Sequence, residues 1–354
     1  MGQEHDVGRT LLSPQSWKDS RSLEELAERY RPQFEEVLEP DLPIVDAHHH
    51  LWHRPGARYL IDEFLADIRS GHNIVATVYV EGMTMWHTGG PEPMRPVGET
   101  EFAVRLAVAA DNDRSSRVEV NAAIVAYANL RLGDAVGAVI EAHMAAGQGR
   151  VRGMRDRAQY DSSIGDLGSI IAPPHLMQDT DFRKGLGHVA AAGIVYDAWQ
   201  FHPQIPEVTE LARAVPAATI VLDHMGGILG VEVYAGRRQE IFNHWRKDMR
   251  ELAQCPNVYV KLGGLGMPMS GFGYNTQLTP PSSATLAPLW APYIESCIDL
   301  FGVKRCMFQS NFPADKQSSS YSVLWNTFKK ITSAYSNDEK LALYFSTAQK
   351  IYGL

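Results

Sequence analysis

The sequence predicts an α/β fold, a (β/α)8 TIM barrel with an N-terminal helical extension, and three observations predict it. Eight short runs rich in β-branched and aromatic residues alternate with stretches of helical periodicity. The length, 354 residues, suits one such barrel with an added segment. After the first run, where an open doubly wound sheet would carry a Gly-rich phosphate loop, the chain reads HHHLWH.

The elements follow in order. Residues 22–38 read as a helix, because Ser22 and Glu25 have capping-box spacing and Leu23, Leu26, Ala27, Tyr30, Phe34 and Val37 recur at helical intervals. Pro40 and Pro43 end it, which makes 1–42 the extension and 43–354 the barrel. Strands are expected at 43–49, 74–81, 118–126, 149–155, 194–202, 218–224, 257–263 and 305–311, with helices between them, as at 134–146 and 180–192. Segments 156–181 and 264–285 are long for connections and read as lids or binding loops. Both follow strands at the carboxyl end, where a barrel keeps its active site.

Composition bounds the function. A hydrophobic fraction of 45% and a charged fraction of 21% allow a sizeable core. A net charge of −8 argues against nucleic-acid and anionic-membrane partners. No apolar run approaches the ~18 residues of a membrane span. The opening MGQEHDVGRT lacks the apolar core of a signal peptide and the Ser or Thr of a myristoylation site. Cys255, Cys297 and Cys306 form no CxxC, so a reducing cytoplasm is expected. The expected partner is a small molecule, and a homo-oligomer stays open.

Strand alternation puts Asp46, His48 and His50 on one face and His49 on the other. Two imidazoles at that spacing suit Zn, Fe or Mn, and a His pair in an edge strand is the bland alternative. The other strand ends carry Glu81, Arg155, His202, His224, Lys261 and Asn311 above apolar strand bodies. Polar loop residues alone do not explain imidazoles at several ends, so a converging site is expected. Asp223 reads either as a backbone partner or as a group that orients a ligand histidine. His53 and His87 read as solvated, and His188 and His244 as structural.

These residues carry a resemblance. D-x-H-x-H after a strand, then a late His, then D-H-x-G-G resembles the amidohydrolase superfamily. More narrowly it resembles the amidohydrolase-2 branch, which includes sugar lactonases and pyrone dicarboxylate lactonase. The match runs from about Pro43 to Leu354 through FHPQIPEV, VLDHMGGILG, YAGRR, VKLGGLGMP, SNFPADK and TAQKIYGL. It implies a distorted barrel, His48 and His50 as paired metal ligands, and His202 and His224 as further metal or substrate contacts. Two departures stand out. Dinuclear members usually carry a carboxylated Lys after strand four, but VRGMRDR has none, and Glu81 is then the best-placed bridge. Hydrolytic members end strand eight on an Asp, and here the residue is Asn311. An amide cannot take a proton at neutral pH, although its oxygen can ligate or hold substrate. Asp315 is expected to be displaced by Phe312 and Pro313.

Two activities follow. The first is a metal-dependent hydrolase of a small carboxylate-bearing lactone, ester or amide, using one or two divalent ions, Zn or Fe/Mn. Arg155, Lys261 and His175 would hold the anionic substrate, and His202 or His224 would fill the role of the missing Asp. The alternative is a non-haem dinuclear iron or iron–manganese monooxygenase, favoured by Glu81 together with Asn311. A non-catalytic barrel is disfavoured by the four strand-end histidines, and a metal-free decarboxylase ranks last.

Overall fold

The computed structural model describes residues 21–54, 57–111, 118–164 and 172–354. Eight strands form one parallel sheet in chain order. They are β1 (Ile44–His49), β4 (Ile74–Val80), β5 (Glu119–Tyr127), β6 (Val151–Arg157), β7 (Val195–Trp199), β8 (Ile220–Leu222), β9 (Val258–Leu262) and β10 (Cys306–Phe308). The short β2 (Trp52–Arg54) and β3 (Ala57–Tyr59) make an antiparallel ribbon beside the barrel mouth. The chain after β10 brings the sheet round to β1. The Asn311 amide donates to His48 O at 2.8 Å and the His50 amide to Phe312 O at 2.8 Å. The barrel is therefore nearly closed. Each strand lies where its apolar run predicts it, with ends shifted by a few residues.

Helices clothe the outside: α1 (Leu23–Tyr30), α2 (Ile61–Ile68), α3 (Val97–Asp111), α4 (Val136–Ala146), α5 (Thr180–Ala191), α6 (Ile205–Ala214), α7 (Arg238–Leu252), α8 (Ser283–Phe301), α9 (Tyr321–Ile331), α10 (Asn337–Leu341) and α11 (Thr347–Tyr352). Alternate strand residues face opposite ways, so two cores form. Ile124, Met154, Tyr196, Leu222, Val260 and Phe308 pack outward against the helices. Val45, Ala47, Val78, Val125, Val221 and Met307 fill the barrel interior with Tyr352 of α11. Helix α11 closes the amino-terminal end of the barrel, where Gly353 lies against Arg152 near the start of β6.

The first helix differs from expectation. It starts at the expected capping box on Ser22 but stops at Tyr30 rather than running to residue 38. Pro32 has no amide proton to extend the helical hydrogen bonding, so the helix ends there although Arg31 itself keeps helical angles. Phe34, expected on the buried stripe, is 90% exposed. The described part of the extension, from Arg21 on, packs on the barrel. Arg29 donates to Tyr274 O and Gln317 O, the Tyr30 hydroxyl to Lys316 O, and Gln33 to Pro281 O. The long segment after β9 runs from Gly263 to Ser282 and is anchored there by the extension. Of the other long loop, residues 165–171 lie outside the described residues. No described helix is long and apolar enough to cross a membrane. The three cysteines are buried and unpaired.

Candidate active site at the barrel mouth

The first strand does not alternate strictly. Its pairing with β4 shifts register between Asp46 and His49, so Ala47 and His48 both face the barrel interior. Asp46 consequently leaves the face expected for it. Its carboxylate accepts from the Ser310 amide at 2.7 Å and the Tyr321 hydroxyl at 3.0 Å, where it braces the seam of the barrel. His49 turns outward as expected, stacked on Phe64 with its Nε2 3.0 Å from the Thr77 hydroxyl.

His48 and His50 meet at the mouth with their Nε2 atoms 3.1 Å apart. His50 Nδ1 lies 2.8 Å from Val80 O, an acceptor only, so the ring proton sits on Nδ1 and Nε2 is bare. His48 Nδ1 lies 3.3 Å from Asp223 Oδ1. A carboxylate or a carbonyl on the far nitrogen is how ligand histidines are oriented, and at His48 the Lys261 ammonium, a donor only, shares that Nδ1 at 3.2 Å. Two nitrogens each about 2.0–2.1 Å from one ion lie about 2.9–3.4 Å apart, which the observed separation matches. The donor set therefore fits a divalent metal. His48, Asp223 and His224 also offer donor atoms within 4.8 Å of one another. Burial and the Lys261 ammonium hold His48 well below the usual imidazole range, and burial with Arg155 does the same to His50. Both rings are neutral, as metal ligands must be.

Beneath them lies a layer of buried ions. Arg155 Nε donates to Glu81 Oε1 at 2.7 Å, its Nη2 to Glu81 O at 2.7 Å, and its Nη1 to Asp223 Oδ2 at 3.1 Å. Lys261 Nζ lies 2.5 Å from Asp197 Oδ2, 3.2 Å from Asp223 Oδ1 and 3.2 Å from His48 Nδ1. Burial alone would raise the Asp223 pKa, but Lys261 and His48 carry it well below the usual carboxylate range. Burial raises Asp197 to about 6, against the pull of Lys261. Burial also opposes the ionised form of Glu81, and the Arg155 and Arg157 guanidinium groups overcome it and lower its pKa.

This layer revises three expectations. Arg155 and Lys261, expected to hold substrate, are internal counter-ions with their donors engaged. Lys261 is fully buried. Glu81, expected to bridge metals, binds two guanidinium groups instead, because β6 runs on to Arg157 and sets a second arginine beside it.

His202 does not join the cluster. It opens a short turn after β7, and its Nδ1 accepts from the Leu229 amide at 3.2 Å. Burial lowers its pKa to about 4, so the neutral ring keeps its proton on Nε2 and presents a donor, not a base. His175 sits on an exposed turn, 3.2 Å from Glu207. Asn311 donates through Nδ2 to Asp315 Oδ1 at 2.7 Å, leaving Oδ1 as the atom a ligand could use. Asp315, expected to be displaced, is thus fully buried beside it. His87 pairs with Glu101 and His188 with Asp134 at the surface.

Four groups at the mouth escaped the sequence reading. Arg157 donates Nε and Nη2 to Glu81, while its side chain stays 15% exposed. Asp197 shares the inward face of β7 with Val195 and Trp199, and an acid in that apolar run was the available signal. Gln309 reaches His224, with Nε2 2.5 Å from Nδ1. Trp199 packs edge-on to the His224 ring at 4.8 Å.

Comparison with known proteins shows the family of the chain. A model of the amidohydrolase family (Amidohydro_2) matches residues 45–354. An uncharacterized protein, y4mH of Sinorhizobium fredii, is 33% identical over 88% of this chain and 99% of its own length. An L-fucono-1,5-lactonase of Burkholderia multivorans is 25% identical over 88% of this chain and 96% of its own. An amidohydrolase from Burkholderia multivorans, solved with bound zinc, superposes with a TM-score of 0.65 at 24% identity, over 88% of this chain and 99% of that one.

Proposed function

This chain belongs to the amidohydrolase family, and on that premise we propose that it hydrolyses a small anionic lactone at a divalent metal held by His48 and His50. The observation that carries the reading is the His48–His50 pair, whose Nε2 atoms converge at 3.1 Å while Asp223 and Val80 O hold the far sides of the rings. A metal bound there would polarise a carbonyl oxygen and make water a nucleophile near neutral pH. The similarity to an L-fucono-1,5-lactonase supports a lactone as the substrate class.

The protein's own groups supply the rest. Arg155 and Lys261 offset Glu81, Asp197 and Asp223 inside the barrel, and Arg157 adds a further guanidinium at its edge. With the three carboxylates ionised, this set is neutral before any metal enters, so the loaded mouth is cationic and suits an anion. Arg157 is the partly exposed member, and no described residue accepts from its Nη1. It is therefore the group placed to meet a substrate carboxylate. Tyr127 and Trp86, stacked at 5.3 Å, would wall that side.

The oxygenase alternative rested on Glu81 and Asn311 as ligands. Glu81 is committed to two arginines, so that reading loses its bridging carboxylate, and Asn311 Oδ1 alone does not replace it. The test is metal analysis of protein grown with zinc, iron and manganese available, coupled to a lactone screen. About one metal per chain with lactone turnover is expected, and both should be lost in His50→Ala. A His50→Ala protein that keeps its metal and its turnover sinks the assignment.

A further inference from the structure

The His224 ring has more around it than a metal site requires. It follows β8 at φ 54°, the left-handed region that non-glycine residues rarely occupy. Strain of this kind persists only where the surroundings fix it. Trp199 packs edge-on at 4.8 Å and the His48 ring lies at 4.6 Å. The charged groups facing it are Asp223, Arg155 and Lys261. Gly264, at φ 79°, passes so close that a Cβ there would come within 2.6 Å of His224 Cβ. Its neighbour Gly263 makes the same room for Gln309, 2.7 Å from Gln309 Cγ by the same measure. The two glycines ending β9 thus clear space for one pair of side chains, His224 and Gln309.

That pair is in contact. Gln309 is fully buried and its amide nitrogen lies 2.5 Å from His224 Nδ1. An NH2 group only donates, so Nδ1 accepts. A neutral imidazole holding a lone pair at Nδ1 carries its proton at Nε2, and no described residue bonds His224 Nε2.

We propose that Gln309 is a positioning residue that locks His224 in the Nε2–H form, so that His224 meets the substrate as a neutral hydrogen-bond donor to the carbonyl oxygen. It is then neither a metal ligand nor a base. A neutral imidazole serving as electrophile is a known catalytic device. A donor aimed at a developing oxyanion is worth about 10²–10³ in kcat. The catalytic consequence rests on the hydrolase reading above, whereas the tautomer does not. The opposite amide orientation would place Gln309 Oε1 on an Nδ1–H and leave Nε2 bare for a metal.

Two-bond 1H–15N correlation spectra of metal-free protein labelled with [15N]histidine separate the two cases, with His224→Asn assigning the signals. A protonated Nε2 and an unprotonated Nδ1 are expected for His224 in the wild type. Gln309→Glu, whose carboxylate only accepts, should move the proton to Nδ1. It should also lower kcat about 10²-fold with KM and metal content unchanged. Gln309→Met should leave a mixture of tautomers. Wild-type protein with His224 protonated at Nδ1 overturns the proposal, and this needs no variant to fold. Spectra unchanged in both variants overturn it as well. An Nε2–H signal in protein that opens no lactone upholds the tautomer and overturns only the assigned activity.

Discussion

Arg155 and Arg157 are two residues apart, share Glu81, and differ in what their loss should do. Arg155→Met strips Glu81 and Asp223 of a buried partner, and breaking a buried pair costs about 3–5 kcal/mol. Its urea midpoint should therefore fall sharply. Arg157→Met leaves Glu81 with Arg155, so stability should change little while KM for an anionic lactone rises about 10-fold or more. An unchanged KM would remove Arg157 from substrate binding. A third residue, Asp156, faces outward from the same strand and accepts from the Leu130 amide. Burial, with Glu81 adding to it, raises its pKa from 3.8 to about 7. The folded state then binds more protons than the unfolded state between those values, so this group's contribution falls as pH rises from about 4 through about 7. Asp156→Asn lacks that loss. Its stability relative to wild type should improve across this window, by at most roughly 4 kcal/mol. Urea melts at either end of the window measure it, and a constant difference would refute the shift.

At the scale of elements, the site depends on two departures from regular structure. The register shift in β1 turns His48 inward beside Ala47 and sends Asp46 to the barrel seam. The second is the α1 extension, which ties down the segment after β9. Arg29 reaches Tyr274 O at 2.7 Å and Gln317 O at 3.0 Å, joining that segment to the turn after β10. A hydrogen bond from a charged group contributes about 1.5–3 kcal/mol. Arg29→Met should speed amide exchange in residues 271–282 before the strands are affected. Equal protection in both proteins would show that the extension is not what orders the segment.

The whole molecule couples its two ends through the barrel interior. Tyr352, two residues before the last, places its hydroxyl 3.1 and 3.2 Å from the two oxygens of Asp197. Asp197 holds Lys261, and Lys261 lies against Asp223 and His48. A helix at the barrel floor therefore steadies the ionic layer under the mouth. Tyr352→Phe keeps the packing and removes one buried donor, which should cost about 1–3 kcal/mol. Denaturant melts would show it, and a neutral result would mean that Asp197 finds another donor.

The sequence by itself determined the barrel, the order of its strands and the end where His48, His50 and His224 gather. Period-two apolar runs such as IVATVYV and the histidines closing them are local, and local pattern sets which face is buried. It also determined the His48–His50 pair, since residues two apart share a face beyond the register shift. Only the tertiary structure decided the roles of the charged groups. Whether Arg155 meets a substrate or Asp223, and whether Glu81 meets a metal or two guanidinium groups, depends on which strand ends stand side by side. That choice is set by contacts between residues some 70 positions apart in sequence, because buried charges take whichever opposite charge the closed barrel brings within reach. Gln309 and His224 are the same case: nothing in QSNFP or LDHMGG alone shows that the two would touch, and the glycine pair after β9 makes the contact possible.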